Sequence, residues 1–558
     1  MKHNSISTIT THVVKPIMAI TAMGATMFLL AACGNKTDAA ANKESITTSV
    51  PSALETMDPD HSVDTTSGEI LNNVEEGLVY LGKKSKVMPG VAKSFTKSKD
   101  GLTYTYNLRH NAKWNDGTPV TAKDFVYGWQ RTVDPKTKAE NAYMFSGVTN
   151  ADAITAGKKD PSTLGIKTDG KYKVVVTLEH PISYFNLLIA TPSFYPQEQK
   201  VVEKYGKKYG TSADKIAYDG PYQLKDWDGT GDTWHLVKNQ KYFNKDNIHI
   251  DTVNYQVVKE AQTGLNMYQD GQLDQVQLHG DQVQNESKDK AFKLVPDAAN
   301  IFVQLNLAKA SSPELEKALR NENIRQALSI ILDRKSFVKN GLDDGSQAAK
   351  GMVSRGMASD PKTGKDFADV AAVPSATDYD KARAKKLWKK GMAEIGAKTL
   401  SFNLTSDDDD THKTISQYLQ GQWQNNLPGL KVVIKTVPKA TRIQYLMNGN
   451  FDVIISGWSP EYNDPATFLN MFVTGNTYNF GKYSNPEYDK QMKIANTTAS
   501  ATTRWNAMVK AQKILTTDES VITIYQQSLP YLRNPKLQNY VQNPAGNEPG
   551  WRGASLKN

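Results

Sequence analysis

The sequence contains one cysteine, Cys33, among its 558 residues. A single thiol excludes an intramolecular disulfide bond and any zinc site built from cysteines. Dense blocks of Lys and Arg are also absent, so the formal net charge of +9 is spread along the chain. Nucleic-acid binding needs basic residues concentrated on one face. We therefore expect no nucleic-acid partner, and read the charge as a general affinity for anionic surfaces.

Long Pro/Gly/Ser-rich linkers and internal repeats are missing from Ile46 onward, so any domain boundaries must be short crossings of the chain. The length has room for about two to four domains of ordinary size. Apolar residues make up 39% of the chain and charged residues 22%. This balance predicts a folded body with a polar surface, and excludes both a disordered chain and a multi-spanning membrane protein.

An apolar stretch lies near the N-terminus, at residues 16–30, after a segment that contains Lys2 and Lys15 and no acidic residue. This order is typical of a secretory signal, and the stretch is too short for a good membrane span, which takes about 20 apolar residues. It ends in the motif LAACG at residues 30–34, which resembles the bacterial lipobox. The resemblance implies cleavage before Cys33 and a lipid on its thiol. An ordinary secretory signal with an incidental cysteine is the alternative.

We expect residues 1–32 to be a lipoprotein signal peptide and residues 33–45 to be a flexible, lipid-anchored tether. The tether lacks aromatic residues and is rich in Ala, Lys and Asn. Two acyl chains hold a protein at a membrane durably. The expected location is the extracytoplasmic face of the cell membrane, and the excess of Lys over Arg suits a low-GC Gram-positive bacterium.

Local patterns predict an α/β body with more than one sheet, because strand-like and helical segments alternate. Alternating or β-branched runs predict strands at 103–108, 172–178, 431–435 and 452–455. Helical spacing predicts helices at 122–133, 323–332, 380–392, 412–426 and 504–517. In the second helix, Ile324, Ala327, Leu328 and Ile331 share one apolar face, which predicts core packing.

Five blocks occur in an order that resembles one family. They are LRHNAKWNDGTPVTAKDFVYGWQR at 108–131 with DP at 134–135, DGPY at 219–222, KN at 238–239 with YF at 242–243, IRQALSIILDR at 324–334, and SGWSPEYNDP at 456–465. The chain resembles the extracytoplasmic solute-binding proteins of family 5, the peptide-binding lipoproteins of ATP-driven importers. In the first block, the turn signal at 115–117 and the capping pattern of Thr121 and Asp124 indicate a structural role.

The resemblance implies a two-lobed, periplasmic-binding-protein-like α/β fold of type II, with an extra domain and a ligand cleft between the lobes. The implied divisions are lobe 1 at 46–73, 198–300 and 526–558, the extra domain at 74–197, and lobe 2 at 301–525. The chain should cross between the lobes near 300–306 and 522–526. The implied mechanism is closure of the lobes around the ligand and delivery to a permease.

A receptor for mixed peptides must bind what all peptides share, which is the main chain and the charged amino end. In the family, the stretch matching Gly457, Trp458 and Ser459 supplies main-chain hydrogen bonds, and an acid after the Trp receives the α-ammonium group. That position is Glu461 here, where better-known members have Asp. Asp464 is a second candidate for the same role, and a structural turn is the alternative reading of both acids.

Lower-grade candidates surround this stretch. Val63 lies in a segment that pairs with the peptide backbone in relatives. Tyr143 and Tyr525 are candidate cleft aromatics, although a core position is the favoured reading of each. Ile455 replaces an Arg that meets the carboxylate of short peptides in some relatives. The implied partners are an oligopeptide, the permease subunits of an ABC transporter and the membrane, with a monomeric chain, no cofactor and no metal.

Other functional classes remain as alternatives. An enzyme is disfavoured because the sequence has no HExxH motif, no nucleophile with a base and no phosphate-binding loop. Gly229 to Asp232 is better read as a hairpin. The acidic run at 407–410 lacks the spacing of an EF-hand, and we expect a solvated turn there. A surface adhesin or scaffold lipoprotein is a rival, and within the family the solute could be a signalling peptide, a murein peptide, haem or nickel.

Overall fold

The structure is a computed structural model that describes residues 44–360, 362–460, 462–545 and 550–557, apart from the side chains at positions 296, 410 and 440. The predicted signal peptide, Cys33 and nearly all of the tether lie outside these ranges, and so does Glu461. Within the described part of the chain, every helix is too short or too polar to cross a membrane.

The strands match the predicted runs closely. They are β1 Ser45–Val50, β2 Val79–Leu81, β3 Val87–Pro89, β4 Ala92–Lys97, β5 Thr103–Leu108, β6 Ile166–Thr168, β7 Lys173–Thr177, β8 Tyr222–Lys225, β9 Thr233–Lys238, β10 Thr252–Val257, β11 Gln275–Gln277, β12 Phe292–Leu305, β13 Gln347–Ala348, β14 Leu400–Asp407, β15 Leu430–Val437, β16 Val453–Trp458, β17 Val521–Arg533, β18 Leu537–Gln538 and β19 Ser555–Leu556. The predicted hairpin at 229–232 is confirmed, because β8 and β9 pair antiparallel around it.

The helices include all five that the sequence predicts. They are α1 Thr65–Val74, α2 Ala122–Val133, α3 Ala151–Thr155, α4 Phe185–Leu188, α5 Gln199–Tyr205, α6 Ala261–Gln269, α7 Asp281–Glu286, α8 Pro313–Arg320, α9 Glu322–Ile330, α10 Arg334–Phe337, α11 Phe367–Val370, α12 Pro374–Thr377, α13 Lys381–Ile395, α14 Asp410–Asn426, α15 Lys439–Asn448, α16 Ala466–Leu469, α17 Pro486–Thr497 and α18 Ala501–Asp518. Ile324, Ala327, Leu328 and Ile331 are fully buried, which confirms the predicted core face.

An 11-stranded sheet runs through the molecule in the order β15-β14-β16-β12-β17-β11-β1-β10-β9-β8, and β13 pairs with β17. β1 is parallel to β10 and β11 in one half, and β14 is parallel to β15 and β16 in the other. The long antiparallel strands β12 and β17 belong to both halves. The predicted two-lobed α/β fold is confirmed, and these two strands join the two halves of the sheet.

A separate four-stranded sheet, in the order β4-β5-β7-β6, forms a smaller body with α2. The Thr121 amide and hydroxyl both donate to the Asp124 carboxylate at the start of α2, at 2.7 and 2.8 Å, which confirms the predicted capping pattern. Trp114, Phe125 and Trp129 from the first sequence block are buried in its core. The block is therefore structural, as predicted.

Three large apolar clusters form the cores of the described chain. One unites residues between 298 and 525 with Ala545. A second unites residues between 78 and 194 with Ala217. The third combines residues from 46–74 and 202–255 with Trp551 and Ala554. The domain boundaries given above stay predictions.

The expectation of a solvated turn at 407–410 is wrong for Asp407. This residue is the last of β14 and is only 2% exposed. Its Oδ1 accepts a hydrogen bond of 2.7 Å from Nε of Arg442, on α15, so the buried charge has a partner. Asp409 instead caps α14 by accepting from the amide of His412.

Candidate functional site

The two halves of the large sheet point the carboxyl ends of their parallel strands toward each other. β16 runs antiparallel to β12 and reaches Trp458 opposite Asn300, at the middle of the sheet. β11 runs antiparallel to β17 and parallel to β1, so β1 and β11 end on the same central side. Ligands of open α/β sheets bind in the crevice outside the carboxyl ends of the strands. The candidate site is therefore the cleft between the two halves.

The end of β16 offers free backbone to this cleft. β14 pairs with β16 only as far as Thr405 and Ile454, whereas β12 follows β16 to Trp458. Among the described residues, the stretch after Ile454 thus has a strand partner on one side only. Gly457 and Ser459 are exposed and Trp458 is partly exposed. An extended ligand could add to this edge through main-chain hydrogen bonds.

A cavity of about 360 Å³ lies beside this stretch, and it brings together two of the predicted site residues, Tyr143 and Trp458. Its wall includes several aromatic rings, and the ring centroids of Tyr478 and Trp458 are 5.0 Å apart. The indole Nε1 of Trp458 is buried and has no hydrogen-bond partner among the described residues.

Asp464 is occupied in this structure. Both of its carboxylate oxygens accept hydrogen bonds from Arg504, at 2.7 and 2.8 Å, and both side chains are less than 10% exposed. The guanidinium group of Arg504 also lies 5.2 Å from the ring of Tyr184, which stacks on Tyr462 at 4.7 Å. These contacts fix the loop after β16 and leave Asp464 without a free oxygen for a ligand ammonium group.

The remaining predicted residues lie in different settings. Val63 is 70% exposed, and its loop is held by Asn141, whose Nδ2 donates 2.8 Å to the carbonyl oxygen of Ser62. Tyr143 lies two residues after Asn141 in the chain and is 53% exposed. Tyr525 is 2% exposed and packs edge-on against Phe337, so it belongs to the core in this structure.

A second cavity, of about 410 Å³, opens on the lobe 1 side, where β1 and β10 end and α1 begins. Glu69, Gln275, Tyr531 and Tyr540 are among its lining residues. Sequence reasoning missed these residues because they lie on four separate segments. The only sequence signal for this cavity was weak, namely an acidic residue, Glu69, next to the apolar face of α1.

One group in the described chain could offer three metal ligands, namely Asp407, Asp409 and His412. Nδ1 of His412 lies 2.8 Å from Asp409, and Nε2 lies 3.8 Å from Asp407. Arg442 already donates to Asp407, and a cation would have to compete with it. The arrangement is explained as the cap of α14 and a buried ion pair.

Comparisons with known proteins identify the family. Residues 86–480 match the model of the bacterial extracellular solute-binding proteins, family 5 Middle. A dipeptide-binding protein of Lactococcus lactis subsp. cremoris is 40% identical over 519 residues, which cover 91% of this chain and 93% of that protein.

Solved structures agree. Listeria monocytogenes OppA bound to peptide is 35% identical with a TM-score of 0.74, covering 93% of this chain and 100% of that one. The unliganded open form of the murein tripeptide-binding protein MppA is 27% identical with a TM-score of 0.78, covering 92% and 98%. This chain therefore belongs to the bacterial extracellular solute-binding proteins of family 5, which bind solutes and are not enzymes.

Proposed function

We propose that this chain is the receptor of a peptide importer, which captures oligopeptides outside the cell and delivers them to an ABC transporter permease. The observation that carries the proposal is the free backbone edge after Ile454, at the cleft end of β16. Added strands are held mainly by main-chain hydrogen bonds, which every peptide can make. The names of the relatives, a dipeptide-binding protein and a peptide-bound OppA, support the same ligand class.

We assign the α-ammonium group of the peptide to Glu461. Asp464 is the alternative, but its pairing with Arg504 argues against it. Glu461 is the residue that matches the acid of the family after the Trp. A free amino end in the cleft then fixes the register of the peptide, while Gly457, Trp458 and Ser459 bind its main chain.

We further propose that Cys33 carries the lipid that holds the receptor at the extracytoplasmic face of the membrane. Peptide binding closes the lobes about β12 and β17, which are the strands shared by both halves of the sheet. The closed form presents the trapped peptide to the permease. Two acyl chains would keep the receptor beside its permease.

The test uses protein stripped of co-purified ligand and two pentapeptides of identical sequence, one with a free amino end and one acetylated. We expect calorimetry to show binding of the free peptide and a loss of about 3 to 5 kcal/mol for Glu461→Gln, because the desolvated ammonium would lose its counter-ion. The acetylated peptide should bind weakly to both proteins. Glu487→Gln, on exposed α17, serves as the control and should bind like the parent protein.

Binding of an unrelated solute with no heat from any free-ended peptide would overturn the proposed function. Equal binding of the free and acetylated peptides would leave peptide capture intact and remove Glu461 from its role. Binding to envelope or host material without peptide binding would favour an adhesin.

A further inference from the structure

The lobe 1 cavity lies in the candidate cleft, far along the sheet from the Trp458 stretch, and its partly apolar wall carries several polar side chains. Its wall includes Thr48 on β1, Gln275 on β11, Tyr531 on β17, and Tyr540. With about 410 Å³ it can enclose one long side chain of a ligand. The chemistry of that side chain follows from the ionisable group in the wall, Glu69.

Glu69 lies on α1 and is partly buried at the cavity. Its Oε1 accepts a hydrogen bond of 2.8 Å from the hydroxyl of Tyr255, which in turn accepts one of 2.7 Å from Nε1 of Trp551. The other carboxylate oxygen accepts no hydrogen bond from the described residues. Burial raises the pKa of Glu69 to about 7, and the Tyr255 hydroxyl opposes the rise only in part.

The surrounding cations do not neutralise this carboxyl group. In the described chain, Glu69 forms no ion pair within 4.0 Å, and no cation contributes to its pKa shift. Arg533 lies behind the wall, with its guanidinium 5.3 Å from the ring of Tyr531 and 4.7 Å from that of Tyr540. Its Nε donates to Gln275.

The remaining charged or titratable groups that line the cavity are exposed at its rim. They are Lys259, Glu260 and His279. Glu69 is shielded from water, is hydrogen-bonded on one oxygen and has no cationic partner. Because a buried charge needs a partner, its carboxylate lacks a counter-ion.

We propose that this cavity binds a cationic side chain of the captured peptide, Lys or Arg, with Glu69 as its counter-ion. The inference rests on the proposed peptide receptor and adds a specificity-determining residue to it. The aliphatic stem of such a side chain packs on the rings of Tyr531 and Tyr540, and its charged end reaches the free oxygen of Glu69. The pairing is separate from the proposed ammonium contact at Glu461.

The experiment is a scan of an all-Ala pentapeptide in which Lys or norleucine replaces one residue at a time. Norleucine keeps the aliphatic stem and removes the charge. We expect the parent protein to bind the Lys peptide at least about tenfold tighter than the norleucine peptide at one position, as for a shielded charge pair. Glu69→Gln should lose this preference and bind the all-Ala peptide unchanged, since Gln can still accept from Tyr255.

Two controls make the scan specific to Glu69. Glu260→Gln removes the same charge from the exposed rim and should keep the preference within about threefold, because exposed charges interact weakly. His279→Gln removes the titrating imidazole at the rim and should also keep it. A melting temperature for each variant shows that it is folded.

The pH dependence gives a second readout on the unaltered protein. Glu69 becomes charged as the pH rises through about 7, so the Lys preference should grow between pH 6 and 8, by up to about tenfold per pH unit below 7. Calorimetry in two buffers of different ionisation enthalpy should show protons released when the Lys peptide binds. Glu69→Gln should release none.

All-Ala peptides that bind without any Lys preference would overturn this inference and leave the proposed function standing. A Lys preference that persists in Glu69→Gln would assign it to another acid and overturn the inference as well. A protein that binds none of the peptides would overturn both.

Discussion

Asp464 and Glu461 are three residues apart, and the sequence alone offers both as partners of a ligand ammonium group. The structure accounts for Asp464, because Arg504, 40 residues further along the chain, donates to both of its carboxylate oxygens. The ion pair between Asp464 and Arg504 is a tertiary contact, and no local sequence pattern around residue 464 predicts it. The motif could therefore locate the loop at the end of β16 but could not show that Asp464 is already paired with Arg504.

Arg504→Met should destabilise the fold by about 3 to 5 kcal/mol, since it leaves the buried carboxylate of Asp464 without a cation. Urea unfolding at neutral pH measures the change. Lys490→Met is the matched control, because it breaks an exposed pair with Glu487 at 3.5 Å and should change the free energy of unfolding by less than about 1 kcal/mol. A loss below about 1 kcal/mol for Arg504→Met would show that water reaches Asp464.

At the scale of elements, the sequence predicted those whose signals are local. The capping pattern and apolar spacing of α2 place its ends at Ala122 and Val133, as the structure has them. The strands β12 and β17 were not predicted, because their residues do not alternate and β12 contains Pro296. Each of the two strands pairs with a neighbouring strand along both of its edges. These long-range pairings stabilise the strands and cannot be seen in a single sequence.

Gly220 in the DGPY motif lies at a close contact between two elements. A Cβ atom there would lie 2.5 Å from the amide nitrogen of Glu75 and from the carbonyl carbon of Val74. The segment before β8 therefore packs directly on the backbone that ends α1. The motif fixes the contact between these two elements.

Gly220→Ala should cost about 3 kcal/mol or prevent folding, since backbone atoms cannot move aside as a flexible side chain can. Gly421→Ala is the control. Gly421 lies inside α14 with 4.0 Å to the nearest neighbour, so Ala should stabilise the protein by about 0.5 to 1 kcal/mol. Thermal unfolding of both variants checks the pair, and equal melting temperatures would contradict the close packing of Gly220.

At the scale of the whole molecule, the two-lobed fold followed from the resemblance, but the buried acids did not. Burial raises the pKa of Asp60 to about 6 and that of Glu519 to about 8, and it raises the pKa values of Glu75 and Asp219 well above their usual range. Both oxygens of Glu75 lack a hydrogen-bond partner among the described residues. Asp60 and Asp219 both raise the pKa of Glu75, and the sequence does not show this cluster because its members lie on separate segments that meet only in the folded chain.

These raised pKa values fix the sign of the pH dependence of stability. Such acids bind protons more tightly when folded than when unfolded. Their stabilising contribution is therefore complete below the unfolded pKa, near 4, and is lost as the pH rises through the folded values of about 6 to 8. Hydrogen bonds from Arg355 and Lys350 lower the pKa of Asp369 to about 2. Asp369 therefore changes the free energy of unfolding only at more acidic pH.

The free energy of unfolding should therefore fall between pH 5.5 and 8, as urea denaturation at several pH values would show. Glu519→Gln imitates the protonated acid at a residue that is 2% exposed, and it should remove about 2 to 3 kcal/mol of that fall. Glu260→Gln, on the surface, should leave the slope unchanged. A stability that rises over this range, or a slope that survives Glu519→Gln in full, would mean that these acids are ionised and solvated in the folded protein. The buried groups would then be hydrogen-bonded to water, and the core around Glu519 would be wetter than its packing indicates.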